Sequence, residues 1–436
     1  MRLPLLALVC FPALAAAEPP RLSLEQVISR ALAGPKARMA RGDRDAAAAR
    51  IDEADAARLP RIKATAFGTI SPDISCTTDD CVRTSPENFA LRFDGVFGGA
   101  QLDITQPLYT FGKIAHARSA ARAGLAAQKA LENETAGDLT VDAARAYWGI
   151  KIARELGYML DDGIDEITKA LVRIDERNAD KPDVSIQDRQ RVAVLLAEAR
   201  VQRADAQMGE LQALAGLRAL VGAVDADVDT DELAAVTRPV PAQANGDQRP
   251  QALAARAGAV AADELAEMAA SYYWPDLALV GSAVIARATG VQDPPSAFAN
   301  DPFNRSGAGL VLAMQWTFEP WTVRARVDRA RAEAAKARAL SELAALGASY
   351  DAQTALAEAT ASFAKVTAAA DGEKAARTWL ASVLQADAIG AAEAKDLADA
   401  YIAWFTMRAR WVQAVFQWNV AVIRLDRATG SPASRR

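Results

Sequence analysis

From Leu22 to Leu59 apolar positions recur with a helical period. The run opens on Ser23-Leu24-Glu25-Gln26, where Ser23 is a candidate N-cap and Gln26 stands three residues on. Pro60 ends that helix, and the period changes to two. Ile62, Ala64, Ala66, Gly68 and Ile70 then fall on one face and Lys63, Thr65, Phe67 and Thr69 on the other, the pattern of a strand. Beyond a polar loop, Leu91, Phe93 and Phe97 alternate with Arg92, Asp94 and Val96. From Leu102 and Ile104 the apolar parity is even, and a bulge at Gly98-Gly99 would permit the slip.

Very long helices follow. Nothing but scattered glycines interrupts the pattern from Gly112 to about Arg177, 66 residues that would span on the order of 100 Å. After a turn containing Pro182, a second helix returns from Val184 to Gly222. The chain then says the same thing again. Leu277, Leu279, Gly281, Ala283 and Ile285 form one strand face. After a loop from about Thr289 to Ser306, Ala308, Leu310, Leu312, Met314 and Trp316 form another. A helix runs from about Val323 to Ala388, turns at Gly390 and returns to Gly430. Leu397, Trp404, Trp411, Trp418 and Leu425 recur on it every seventh position, a coiled-coil seam rather than a ligand-stacking platform.

Short motifs support a tandem duplication. Arg58-Leu59-Pro60-Arg61 answers to Tyr273-Trp274-Pro275-Asp276, Gln106 and Tyr109 to Gln315 and Phe318, and Leu217 to Gly222 to Leu425 to Gly430, at offsets of 215, 209 and 208 residues. The domains expected are a signal peptide (1–17), a first repeat (18–222: helix, strand hairpin 62–106, helical hairpin 112–222), a connector (223–247), a second repeat (248–430: helix, strand hairpin 276–318, helical hairpin 323–430) and a disordered tail (431–436).

Composition narrows the function. Arg2, an apolar run from Leu3 to Leu14 and Ala15-Ala16-Ala17 read as a secretory signal, too short to span a membrane. No later stretch offers about 20 consecutive apolar residues, so membrane insertion must use strands. Cys76 and Cys81 sit in a polar loop of an exported chain and read as a local disulfide. A formal charge of −5 argues against a nucleic-acid partner. The chain holds one histidine, His116, and shows no nucleophile elbow, phosphate loop or metal-ligand cluster. An enzyme, a cofactor and a metal site are therefore not expected.

Four strands cannot close a barrel, and an open edge in lipid leaves backbone groups unpaired, so a barrel must be shared between chains. Strands joined to ~100 Å helices describe a conduit.

The chain resembles the TolC-like outer membrane factors of efflux and type I secretion systems. Leu22-Ser23-Leu24-Glu25-Gln26-Val27 is similar to their opening motif, Leu59-Pro60 and Trp274-Pro275 to their strand-start signatures, and Gln106-Pro107-Leu108-Tyr109-Thr110-Phe111-Gly112 to their strand-to-helix motif. The resemblance implies a mainly α fold with a small β part: long antiparallel coiled-coil helices forming a periplasmic tunnel, plus four strands per protomer in a shared trimeric barrel. It implies a homotrimer in the outer membrane lipid of a Gram-negative bacterium, working with a periplasmic adaptor and an inner-membrane pump. Gly390 then falls on the family's tip glycine, and Asp396 and Asp399 on the aspartate pair lining the periplasmic aperture. Residues three apart share a helix face, which fits that role; a solvated face is the alternative, and the position at the predicted tip favours the aperture.

The helix tips that would meet the adaptor are Lys181-Pro182-Asp183 and Ile389-Gly390-Ala391. Asp188 matches the family's partner aspartate in a closed-state latch. The tyrosine and arginine of that latch are replaced here by Asp387 and Ala392. The alternative is a periplasmic coiled-coil adaptor or scaffold, which would leave the strands unexplained.

Overall fold

The computed structural model describes residues 21–76, 89–180, 186–289, 304–389, 391–392 and 394–431. In chain order the elements are β1 (Arg21–Leu22), α1 (Leu24–Ala33), α2 (Pro35–Ala56), β2 (Arg61–Cys76), β3 (Phe89–Tyr109), α3 (Lys113–Asp180) and α4 (Ile186–Val221). There follow β4 (Asp227–Val228), α5 (Pro250–Ala270), β5 (Asp276–Ala288), β6 (Arg305–Gln315), α6 (Pro320–Ala388) and α7 (Ala394–Thr429). The sequence of helix, two strands and two long helices thus occurs twice. The described residues form two compact units: one from Asp43–Lys129 and Ala254–Leu343, the other from Met1–Gly42, Ala130–Leu253 and Ala344–Arg436.

The first of these holds a four-stranded antiparallel sheet in the order β2-β3-β5-β6. The predicted bulge at Gly98-Gly99 is not there. Phe67 pairs with Gly99 and Gly68 with Gly98 in unbroken register, and the shift falls between Ser71 and Asp73. The glycine at 99 has another cause: an added Cβ would lie 2.7 Å from the Ile285 carbonyl oxygen of β5 and 3.0 Å from the Phe67 ring. The ring of Phe67 lies over that bare backbone and meets Phe97 edge-on at 5.1 Å between centroids. Below the sheet, Ala269, Val323 and Val327 pack α5 on α6.

The strand-to-helix motif closes on the second repeat's Trp-Pro signature. Phe111 (φ 48°) and Gly112 (φ 98°) turn the chain sharply, and Phe111 stacks on Trp274 with centroids 5.8 Å apart and rings 14° from parallel. Lys113 donates to the Trp274 carbonyl (3.1 Å) and to Asp276 Oδ1 (2.8 Å). Gln106 donates to the Arg58 carbonyl at 2.7 Å, which accounts for this glutamine beside the first Leu-Pro.

In the other unit the helix expected from Leu22 to Leu59 is two. The capping box at Ser23 forms, with the Ser23 N–H donating to Gln26 Oε1 at 3.0 Å and the Gln26 N–H to Ser23 Oγ at 3.4 Å. The helix stops at Gly34, because Pro35 has no N–H to continue it and instead starts α2, where that donor is not needed. Two residues before α1, Arg21 and Leu22 pair in parallel with Asp227 and Val228. Leu22, Val27, Ala143, Ala144, Tyr147, Trp148, Ile150, Leu217 and Val228 form the main core around this ladder.

The residues from Asp229 to Asp247 carry no helix or strand and are strapped to α7. Trp418 Nε1 donates to the Val236 carbonyl (2.9 Å), and Arg238 forks onto the Asp426 carboxylate with both contacts at 2.6 Å. The heptad tryptophan row is core, as its spacing predicts. Trp418 and Leu425 are buried against Ala352, Ala355 and Ala359 of α6, while Trp404 and Trp411 are partly buried in neighbouring clusters.

Candidate functional site: the sheet faces and the helix tips

Because directly paired residues share a face, the register sorts the sheet into two surfaces. Ile62 pairs with Ile104, Ala64 with Leu102 and Ala66 with Ala100. Ile104 pairs with Gly281 and Leu102 with Ala283, while Leu279 pairs with Leu312, Gly281 with Leu310 and Leu277 with Met314. One apolar face therefore runs unbroken across all four strands. It is uncovered in the single chain: Ile62, Ile70, Leu310, Leu312 and Met314 are each about two thirds exposed. A patch of this size is far from the scattered exposed leucines of a soluble monomer, and it is what a lipid-facing barrel wall presents.

The opposite face carries Lys63 across from Asp103, then Ser282 next to Asp103, with Thr65, Gln101 and Gln315 along the rows. Gln101 Nε2 donates to Asp103 at 2.9 Å. The first surface suits hydrocarbon; the second is mixed, polar mainly on β2 and β3 and carrying Val280, Val284 and Val311 on β5 and β6. The outermost strands, β2 and β6, each have a neighbour on one side only.

At the helix tips, α7 begins at Ala394, placing Asp396 in its first turn and Asp399 one turn on. Leu397, Ala400 and Tyr401 turn inward with Trp404 and Phe405 onto Leu380, Val383 and Ala392. Both aspartates lie on the exposed face, and among the described residues neither has an ion-pair partner. A carboxylate in a first turn also suits the positive helix N-terminus.

Ile389 is 81% exposed, and the Ala391 N–H returns to the Ala386 carbonyl at 2.8 Å, closing the end of α6. Ala392 packs inward and offers no charge. Lys181, Pro182, Asp183, Gly390 and Cys81 lie outside the described residues, as do the side chains of Cys76, Asp188 and Asp387.

One tip contact was not legible from the motifs. Arg189 of α4 forks onto Asp175 of α3 at 2.6 and 2.9 Å, and its hydrogen bond holds the Asp175 carboxyl below its ordinary range. Sequence gives no signal for it beyond opposite charges either side of a predicted turn.

Residues 27–223 match the family of outer membrane efflux proteins. The match spans just under half of the chain. The fold of the chain is that of solved outer membrane channels. These include VceC from Vibrio cholerae (18% identity, TM-score 0.75, covering 93% of this chain and 96% of that one). The same holds for CmeC from Campylobacter jejuni (14%, TM-score 0.77, 99% and 94%) and MtrE from Neisseria gonorrhoeae (18%, TM-score 0.74, 93% and 88%). At such identities the structural likeness speaks for the fold alone. The family match adds what the fold cannot, and it covers the first repeat. No curated protein matches the chain in sequence.

Proposed function

We propose that three copies of this chain form one channel. Their twelve strands would close a barrel in the outer membrane, and their helices would form a periplasmic tunnel that receives substrate from an inner-membrane pump through a periplasmic adaptor. The observation that carries this reading is the sheet. It is largely apolar over one face, while the other carries Lys63, Thr65, Gln101, Asp103 and Ser282 among apolar residues, with two strand edges that only other copies can pair without exposing backbone to lipid. Efflux and type I secretion share this outer membrane part, and the cargo is selected upstream of it.

In this reading Asp396 and Asp399 line the aperture, projecting two rings of three carboxylates that attract cations and repel anions. Ile389-Gly390-Ala391 and Lys181-Pro182-Asp183 are the tips offered to the adaptor, and Asp188 is a partner in closure. The disulfide between Cys76 and Cys81 would staple the first hairpin's loop.

Purified protein in planar bilayers tests the channel, with a mass measurement in detergent for the trimer. Cation-selective pores are expected. Asp396→Ala combined with Asp399→Ala should raise conductance or weaken block by polyvalent cations. A silent bilayer sinks the channel, whereas an unaltered double variant sinks only the aperture role.

A further inference from the structure

Within four residues, α7 is notched into two other helices of its unit. Phe405 lies over Gly163 of α3, and Met407 fills a gap at Gly372 of α6; a Cβ at either glycine would overlap the side chain that occupies the notch. Arg408 stands beside these notches. Its guanidinium ion-pairs with Glu155 of α3, lies 4.0 Å from Glu373 Oε1 of α6, and sits 4.7 Å from the ring centroid of Trp411 on its own helix. Glu373 is only 8% exposed and also accepts from Arg377 at 2.5 and 3.0 Å. Three helices therefore meet on one cation.

We propose that Arg408 is a positioning residue for the aperture, holding α7 between α3 and α6 so that the first two turns of α7, with Asp396 and Asp399, stand where they do. This rests on reading those aspartates as the aperture. Asp399 lies nine residues before Arg408, about two and a half turns along a stiff helix, so the tilt of α7 at Arg408 sets the position of those turns. Along α7 from Ala394, Arg408 is the first residue in an ion pair among the described residues. The positions of the family latch carry Asp387 and Ala392, which cannot supply a cation.

Without Arg408, Glu155 and the buried Glu373 lose the charge between them, and α3 and α6 are no longer drawn onto α7. Glu373 keeps Arg377, so the change stays local.

The test is the full chain in planar bilayers as wild type, Arg408→Met, Arg408→Lys and Glu155→Gln, with thermal unfolding of each. Arg408→Met and Glu155→Gln should raise the ratio of open to closed occupancy about fivefold or more, the lower end of typical coupling between sites, and weaken block by Mg²⁺. Arg408→Lys keeps the charge and should stay close to wild type. A purely structural role would lower the melting temperature of the variants and leave occupancy unchanged, and that result overturns the proposal. If Arg408→Met fails to insert, Glu155→Gln decides by the same criterion. If wild type conducts and both variants match it, the positioning role fails alone. A wild type that forms no pore overturns the channel reading and this proposal with it.

Discussion

The side chain of Asn419 acts as both acceptor and donor toward the connector. Its Oδ1 accepts the Val236 N–H at 2.8 Å, and its Nδ2 donates to the Ala234 carbonyl at 2.9 Å, with the residue wholly buried in α7. A segment without helix or strand has no ladder to satisfy its backbone, and Asn419 stands in for one. Asn419→Leu keeps the approximate volume and orphans one donor and one acceptor. At about 1–3 kcal/mol for each buried group left unpaired, this should be among the costlier single changes in the chain. Denaturant unfolding should report the loss, and limited proteolysis should cut first between 229 and 247. Unchanged stability and an uncut connector would count against the strap.

Gly246 meets the Ala348 carbonyl of α6 so closely that an added Cβ would overlap backbone rather than a mobile side-chain end. Gly246→Ala should therefore cost at least the upper part of the usual 1–3 kcal/mol for overpacking. Gly258→Ala, where a Cβ meets nothing, should be neutral or slightly stabilising in its helix. Melting temperatures of the two variants make the comparison, and equal effects would show that the approach at Gly246 relaxes freely.

The stack of Phe111 on Trp274 joins the end of the first strand pair to the start of the second. Phe111→Gly relieves a positive φ but loses the stack, whereas Trp274→Ala loses the stack alone. If the rings matter to each other, the double variant should be milder than the sum of the singles by about 0.5–1.5 kcal/mol. A double-mutant cycle on unfolding free energy gives that number directly, and strict additivity would mean each ring packs independently.

What could be read from the residues depended on how local the cause was. The strand faces were legible because the period of two is written in consecutive positions, and the pairings from Ile62 to Met314 keep the expected parity. The long helices were legible for the same reason. The break at Gly34-Pro35 was passed over because apolar spacing continues across it, so the backbone's missing donor outweighs the side-chain pattern. The glycines at 98 and 99 invited a bulge, but what Gly99 answers is the ring of Phe67 and the close carbonyl of Ile285, neither visible along one strand. The ladder of Arg21 and Leu22 with Asp227 and Val228 is two residues long and carries no period at all. Arg408 and Glu155 are 253 positions apart, and only the packing of α3 and α7 brings them together.

Tyr147 gives a prediction about pH. Its hydroxyl donates to Asp229 at 2.9 and 2.8 Å, beside Lys151, which donates to Asp229 Oδ1 at 2.5 Å and to the Asp231 carbonyl at 2.7 Å. Burial, then the hydrogen bond to Asp229, then the negative charges of Asp229 and Asp231 push the phenol well above its ordinary value of 10.0. In the unfolded chain the phenol ionises near that ordinary value, while in the folded chain it keeps its proton. Above pH 10 the unfolded state therefore binds fewer protons than the folded one, and stability falls as pH rises through the unfolded value toward the folded one. The contribution is fully present below that window. Tyr147→Phe removes the alkaline slope but takes a donor from a part-buried carboxylate, which should cost about 1.5–3 kcal/mol at neutral pH. The gap between wild type and variant should then narrow as pH climbs above 10, because only wild type has this proton to lose. Urea midpoints at neutral and alkaline pH measure that gap, and taking the difference cancels the lysines and other tyrosines titrating alongside. A gap that stays constant would mean that the phenol ionises as readily in the fold as in the free chain.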